Sequence, residues 1–386
     1  MTLKGKDIIC ISTSDWGSSW GSKQHLMSRL SVDNRVFYVE YQSNFLHLFK
    51  RGHWKKLLDT FGKTSKLSDK LFIYTPPFYL LPLGYYFRFV NKLNQALLYS
   101  AMMKEMKKIG FNPSIAWVYP PIAIDLVKYM KDIFLVYHCI ADFSIEKKNP
   151  LRRHTTMRME DELAKSSGLV FVLTKILYAR YSKLNKNVAF FPSAVDIDLF
   201  NKIPLEQELP KDIKDIKKPI IGLVGYLDDQ VLDMDILEHI GMERPYWSLV
   251  LIGPILRGSR SFSKLQKMRN VYFLGQKNHL DIPSYISSFD VCLIPYQKNK
   301  FMENVSSLKL YEYLALGKPV VSTDFSEEVR GIDDIFVAKD REDFIKFIKK
   351  ALEFRNEADP IKRRKDIASK NSWDARMELV LSRFGA

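Results

Sequence analysis

Short apolar runs alternate with amphipathic stretches from one end of the chain to the other. Asp7–Ile11, Arg35–Val39, Leu71–Tyr74, Ile115–Val118, Ile133–Tyr137 and Leu169–Leu173 read as buried strands. Lys23–Leu30, Tyr86–Lys107, Ile122–Met130, Arg158–Ala164 and Lys175–Ser182 read as helices between them. A second series starts at Ile220–Val224 and runs through Trp247–Ile252, Val271–Phe273, Val291–Ile294, Pro319–Ser322 and Ile335–Val337. Strands alternating with helices in this way build parallel sheets. Asp198–Lys218, rich in Lys, Glu, Asp and Pro and without an apolar period, separates the two series as a linker. Ser372–Phe384 has a capping Ser and an apolar helical stripe, and no strand follows it. The pattern predicts an α/β domain over 1–197, a linker over 198–218, a second α/β domain over 219–371, and a terminal helix over 372–386. That helix either packs on the second domain or crosses back to the first. Two such halves suggest a cleft, with the ligand beyond the carboxyl ends of the strands.

Charge changes the picture more than composition does. With 386 residues, 46% hydrophobic and 27% charged, the chain has the length and make-up of two folded domains. The net charge of +15 is one-sided. Residues 1–200 hold 29 Lys and Arg against 16 Asp and Glu, whereas the remainder holds 30 against 28. A field concentrated in the first half favours an anionic partner: a membrane surface, a phosphorylated lipid or nucleic acid. Cys10, Cys139 and Cys292 lie far apart and imply neither a disulfide framework nor a zinc site. The apolar run at Ile8–Ile11 is too short for a signal peptide, and no run is long enough to span a bilayer, so a cytoplasmic protein is expected.

The segment richest in chemistry is Phe289–Ser322, FDVCLIPYQKNKFMENVSSLKLYEYLALGKPVVS. A buried strand ends at Pro295-Tyr296, a polar loop follows, and a helix opens near Ser306-Ser307. A helix amino terminus offers free amides and a positive dipole end, which suits a diphosphate. Ser306 and Ser307 can contact phosphate oxygens. Lys309 stands in the first turn, where a cation opposes the dipole unless an anion is close. Glu312, three residues on, shares its face and can accept hydrogen bonds from the two ribose hydroxyls.

This segment resembles the donor-nucleotide motif of GT-B glycosyltransferases, especially bacterial enzymes of surface polysaccharide synthesis. GLVGYLDDQVLDMDIL, RPYWSLVLIGP and VYFLGQKNHLDIPSYISSFDVCLIPY flank it in the order that family has. The resemblance covers about residues 190–325 well and the first half more loosely. It implies a GT-B fold of two Rossmann-like domains facing across a cleft, and a nucleotide-sugar co-substrate, UDP-linked, with no other cofactor. The nucleotide-sugar site would comprise Gly225, Tyr296, Asn304, Ser306, Ser307, Leu308, Lys309 and Glu312. The sequence departs from the pattern at two places. Asn304 stands where many retaining members carry a glutamate, and Gly225-Tyr226-Leu227-Asp228-Asp229 lacks the usual Arg and Lys. In these respects it is similar to the glucuronosyltransferase of xanthan synthesis and to teichuronic acid glycosyltransferases, so the stereochemical outcome stays open.

In the first half, His138 and Asp142 follow a buried strand. A His there can donate a hydrogen bond to a sugar hydroxyl, and an Asp can act as general base on an acceptor hydroxyl. The resemblance implies a catalytic role for both, with Asp142 the base if the reaction inverts. The loop Ser12–Lys23 (STSDWGSSWGSK) has glycines that admit a ligand, and Asp15, Trp16, Gly21 and Lys23 are its acceptor-side candidates.

Two aromatic-basic stretches, Phe45–Leu58 and Pro76–Lys92, have the composition of interfacial segments. The expected partners are therefore a nucleotide sugar, a lipid-linked glycan or polysaccharide acceptor, and an anionic membrane surface on the inner face of the cell membrane. Nucleic acid is not expected, since no RNP signature, helix-turn-helix or zinc spacing occurs. No D-x-D flanks a suitable strand end and Asp233-x-Asp235 reads as a helix start, so metal-independent turnover is expected. The alternatives are a nucleotide-sugar epimerase of the same fold and a non-catalytic basic binding module.

Overall fold

The computed structural model describes residues 3–17, 20–43, 61–145, 149–202, 209–256 and 261–385. The interfacial candidate Phe45–Leu58 lies outside the described residues. The chain divides into two compact units, Met1–Pro192 with Met377–Ala386, and Ser193–Arg376.

The first unit is built on an eight-stranded sheet. Its strands are β1 (Asp7–Ile11), β2 (Arg35–Val39), β3 (Lys63–Lys66), β4 (Leu71–Thr75), β5 (Ile115–Val118), β6 (Phe134–Cys139), β7 (Leu169–Val172) and β8 (Val188–Phe190), in the order β3-β4-β2-β1-β5-β6-β7-β8. Only β3 runs antiparallel to its neighbour. The others pair in parallel, β1 lying between β2 (Ile9↔Phe37) and β5 (Ile9↔Ala116). These strands are almost wholly apolar because crossover helices bury both faces of a parallel sheet. Helices Arg88–Lys108 and Pro150–Ser166 supply Leu98, Met102, Met106, Met159 and Leu163 to one such core. The second of these begins earlier than its apolar period suggests, because Asn149 caps it on the Arg152 amide (3.1 Å) and Pro150 fits its first position.

The second unit has six parallel strands: β9 (Ile220–Val224), β10 (Ser248–Ile252), β11 (Val271–Gly275), β12 (Val291–Ile294), β13 (Val320–Thr323) and β14 (Ile335–Ala338). Their order, β11-β10-β9-β12-β13-β14, is third-second-first-fourth-fifth-sixth within the unit, the doubly wound dinucleotide-binding order. Val250 and Ile252 face one core while Leu249 and Leu251 face the other, as strand alternation requires. The order reverses between β9 and β12, so the crevice at their carboxyl ends is the place for a ligand.

The stretch 198–218 does not act as a connector between the units. It falls inside the second one, where Phe200 and Ile213 are buried in the core. The terminal helix is Trp373–Gly385. Its start is fixed in the second unit by the Trp373 amide on the Val195 carbonyl (3.1 Å), and residues from Met377 onward belong to the first. There Phe384 packs edge-on against Phe134 (5.4 Å between rings).

Candidate functional site

In the second unit, three adjacent strands end in glycines with positive φ: Gly225 after β9, Gly253 after β10 and Gly275 closing β11. Amides bond across them, Gly225 to the Ile252 carbonyl and Gly253 to the Gly275 carbonyl, each at 2.9 Å. A Cβ on Gly253 would lie 1.8 Å from the Gly225 oxygen, so bare backbone lines this rim.

The helix Leu308–Ala315 is the other wall. Its buried Tyr313 accepts the Val224 amide (3.0 Å), which ties the helix to the end of β9. Lys309 and Glu312 pair at 2.8 Å, and Glu312 is only 2% exposed. The Tyr296 phenol lies within the field of both; burial raises its pKa, while Lys309 lowers it and Glu312 raises it. Its carbonyl is held by the Thr323 hydroxyl (2.6 Å) and its ring by Phe325. His279, which the sequence reading did not single out, joins this group. Burial lowers its pKa, and Glu312, Lys309 and Asp196 all act on it electrostatically. It follows β11 in a short 3-10 turn capped by Asn278, and a lone histidine in a polar loop carries no periodic signal. Leu308 and Lys309 occupy the first turn, where amides have no intrahelical acceptor.

The Ser306 hydroxyl and the Ser307 amide are not open to a phosphate as expected, whereas the Ser307 hydroxyl is buried without a hydrogen-bond partner. A carboxylate already occupies that corner: Glu328 accepts from the Ser306 hydroxyl (2.8 Å), the Ser307 amide (3.0 Å) and the Tyr311 hydroxyl (2.9 Å). Ser306 is further tied to Ser193, whose amide donates to the Ser306 hydroxyl. The reason is non-local, since Glu328 arrives from beyond β13. Asn304, buried, donates to the Lys300 carbonyl (2.9 Å) and so shapes the loop. Lys318 of the G-K-P step bonds the Ser287 and Phe289 carbonyls and is structural. Asp233 caps the helix Met234–Glu243 through the Ile236 amide. Among the described residues no group of acidic, His and Cys side chains is arranged to hold a metal ion.

In the first unit, His138 is the penultimate residue of β6 and fully buried. Trp117 Nε1 donates to its Nδ1 (3.3 Å), which leaves the proton of the neutral ring on Nε2. Burial, aided by Lys23, pushes its pKa down to about 3, so it is a neutral donor. Lys23 sits 5.7 Å over the Tyr119 ring, its pKa lowered by burial. Gly21 precedes the helix Ser22–Leu30 and bonds Gln24 through its amide (3.2 Å). Trp16 is fixed by its amide on Glu40 (2.9 Å) and by its ring against Tyr38. Asp15 is half-buried nearby and raises the Glu40 pKa, though burial raises it more.

Asp142 is not placed to be a general base. Its Oδ1 accepts from the Ser144 amide (3.1 Å), the Ser144 hydroxyl (2.6 Å) and the Ile145 amide (3.1 Å), and its Oδ2 pairs with Arg180 at 3.0 Å. D-F-S-I folds into a turn capped by its own aspartate, and Arg180 takes the remaining oxygen.

Residues 218–353, which lie within the second unit, match the family described as glycosyl transferases group 1. TuaH of Bacillus subtilis (strain 168), named as a teichuronic acid biosynthesis glycosyltransferase, is 27% identical over 171 residues. The aligned stretch spans 43% of this chain and 43% of TuaH's own length. The fold is that of solved GT-B glycosyltransferases. Sucrose-phosphate synthase from Thermosynechococcus elongatus superposes with a TM-score of 0.70 at 14% identity, over 98% of each chain. HepE from Anabaena, solved with UDP and glucose, gives 0.68 at 14% identity, over 99% of this chain and 100% of the other.

Proposed function

We propose that the chain is a glycosyltransferase that moves a sugar from a nucleotide diphosphate sugar, UDP-linked, to a lipid-linked or polysaccharide acceptor. The observation that carries this reading is the pair of half-buried Lys309 with buried Glu312 at the β9/β12 switch point, beside Tyr296 and His279. In the reaction the acceptor oxygen forms a bond to the anomeric carbon as the bond to the diphosphate breaks, and the proton of the acceptor hydroxyl leaves on the departing diphosphate oxygen. Glu312 holds the ribose hydroxyls, and the Lys309 ammonium with the first-turn amides offsets the charge on the leaving diphosphate. His138, fully buried with Nε2 shielded from solvent, has no contact with the sugar. Asp142 has no part as base. TuaH by name and HepE by its bound UDP and glucose support the class of reaction and the base.

A membrane-facing first unit fits the same reading. The helix Arg88–Lys108 exposes Phe89 (72%), Leu93 (49%) and Leu97 (37%) along one face, and its far end exposes Lys104, Lys107 and Lys108. Apolar side chains next to lysines suit an anionic interface, and no described helix is long and apolar enough to cross a membrane.

The test is a thermal-shift titration with UDP, GDP, ADP and CMP, each alone and with its sugar. A ligand that binds only the folded state raises the midpoint. UDP should stabilise the protein, and Lys309→Ala and Glu312→Gln should each weaken it by roughly 10-fold or more, the worth of a charged hydrogen bond. Unaltered UDP affinity in both variants removes the site.

A further inference from the structure

Two adjoining cavities in the first unit, of about 200 and 250 Å³, share Tyr41, Gln42, Tyr85, Ile122 and Arg152 as walls. Together they reach the size of a small-ligand cleft. Ser12 and Thr13, at the start of the loop after β1, line one of them. Their polar lining is unbalanced. Arg152 Nε and Gln42 Nε2 are buried donors with no acceptor, against Gln95 Oε1 as a buried acceptor with no donor, and no Asp or Glu lines either cavity. Arg152 is instead held by aromatic faces, 5.2 Å from the Tyr85 ring centre and 5.7 Å from that of Tyr86. It also stands in the first turn of Pro150–Ser166, where the helix dipole adds to its charge. Buried donors without acceptors are costly and call for an acceptor-rich guest.

The rim has the opposite character. Asn94 clamps Leu81 by both its amide and its carbonyl, each at 2.8 Å, and the chain then turns through Leu83 at φ 72°. The left-handed conformation is strained for leucine. Leu81 and Leu83 emerge 40% and 53% exposed at the cavity edge.

We infer that these cavities receive the phosphate head of an amphipathic acceptor, with Arg152 and Gln42 on the phosphate oxygens and the hydrocarbon chain leaving over Leu81 and Leu83. This rests on the transferase reading and names its acceptor as a phosphate joined to a hydrocarbon chain. Farnesyl phosphate is a suitable probe, titrated calorimetrically into the full chain below its aggregation limit, with farnesol and inorganic phosphate as controls. Farnesyl phosphate should bind at least 10-fold more tightly than either control. Arg152→Gln should lose that advantage, Arg152→Lys should keep part of it, and Leu83→Asn, which tolerates positive φ, should weaken farnesyl phosphate but not inorganic phosphate. UDP affinity should stay the same in all three variants, showing that they are folded. Equal affinity of Arg152→Gln and the unaltered protein for farnesyl phosphate overturns the inference, as does inorganic phosphate binding as tightly as the lipid phosphate. If farnesyl phosphate binds through Arg152 while UDP fails to bind at all, the cavity assignment stands and the transferase reading falls.

Discussion

Arg180 Nη1 lies 3.0 Å from Asp142 Oδ2, and that pair decides what Asp142 does. With its other oxygen taking three bonds from Ser144 and Ile145, the carboxylate holds the loop after β6 in place. Asp142→Asn keeps one acceptor and loses the ion pair, at a cost of about 2 kcal/mol in stability, below the full buried-pair value because Arg180 is partly exposed. Loss of a general base costs roughly 100- to 10,000-fold in rate. The expected result is a lower melting temperature with turnover reduced less than about 10-fold. Turnover falling by a hundredfold or more at unchanged stability would restore Asp142 as the base.

The same arginine faces Glu160, whose Oε2 is 3.3 Å from Arg180 Nη2 and whose Oε1 accepts the Phe143 amide. Burial pushes the Glu160 carboxyl up to about 8; Arg180 pulls it down, and the Asp142 charge pushes it further up. A carboxyl raised above its unfolded value binds protons more readily in the folded state. Its stabilisation is therefore complete below about pH 4.5 and is lost as pH rises through about 8. Glu160→Gln cannot ionise and retains an acceptor for Phe143. Melting curves from pH 5 to 9 should show the variant gaining on the unaltered protein as pH rises. Parallel curves across that range would mean that Glu160 stays ionised beside Arg180.

What the sequence disclosed and what it hid divide by the range of the interaction. Six strands of the first sheet, the six of the second and the helix Leu308–Ala315 follow from local periodicity. Lys309 and Glu312 meet because they are three residues apart on one helix face. The β3 strand, Lys-Thr-Ser-Lys, has no apolar signal and exists because β4 offers it an edge. Ser306 looked free for phosphate until Glu328, 22 residues on, closed over it. Asp142 looked like a base until Arg180, 38 residues on, reached it. Arg152 and Gln42 share a cavity wall although more than a hundred positions separate them. Residue type and spacing gave the candidates, and tertiary partners decided which remained available.

Gly253 shows how closely the nucleotide-side rim is built, and it supports a last prediction. Its φ of 137° is strained for any side chain, and a methyl group there would sit 1.8 Å from the Gly225 carbonyl oxygen. That oxygen is backbone, with no flexible end to move aside, and the Gly225 amide is tied to the Ile252 carbonyl. Gly225 has φ 156° but nothing within 4 Å of where its Cβ would lie. Gly225→Ala therefore bears backbone strain alone, about 1 to 3 kcal/mol. Gly253→Ala adds a clash whose relief must shift the ends of β9 and β10, for a total of about 3 kcal/mol or more. Urea denaturation of the two variants should place Gly253→Ala well below Gly225→Ala, with UDP affinity lost first in Gly253→Ala as the strand ends part. Equal midpoints for the two would show that the strand ends yield without cost, and the rim would then be no fixed wall for a nucleotide.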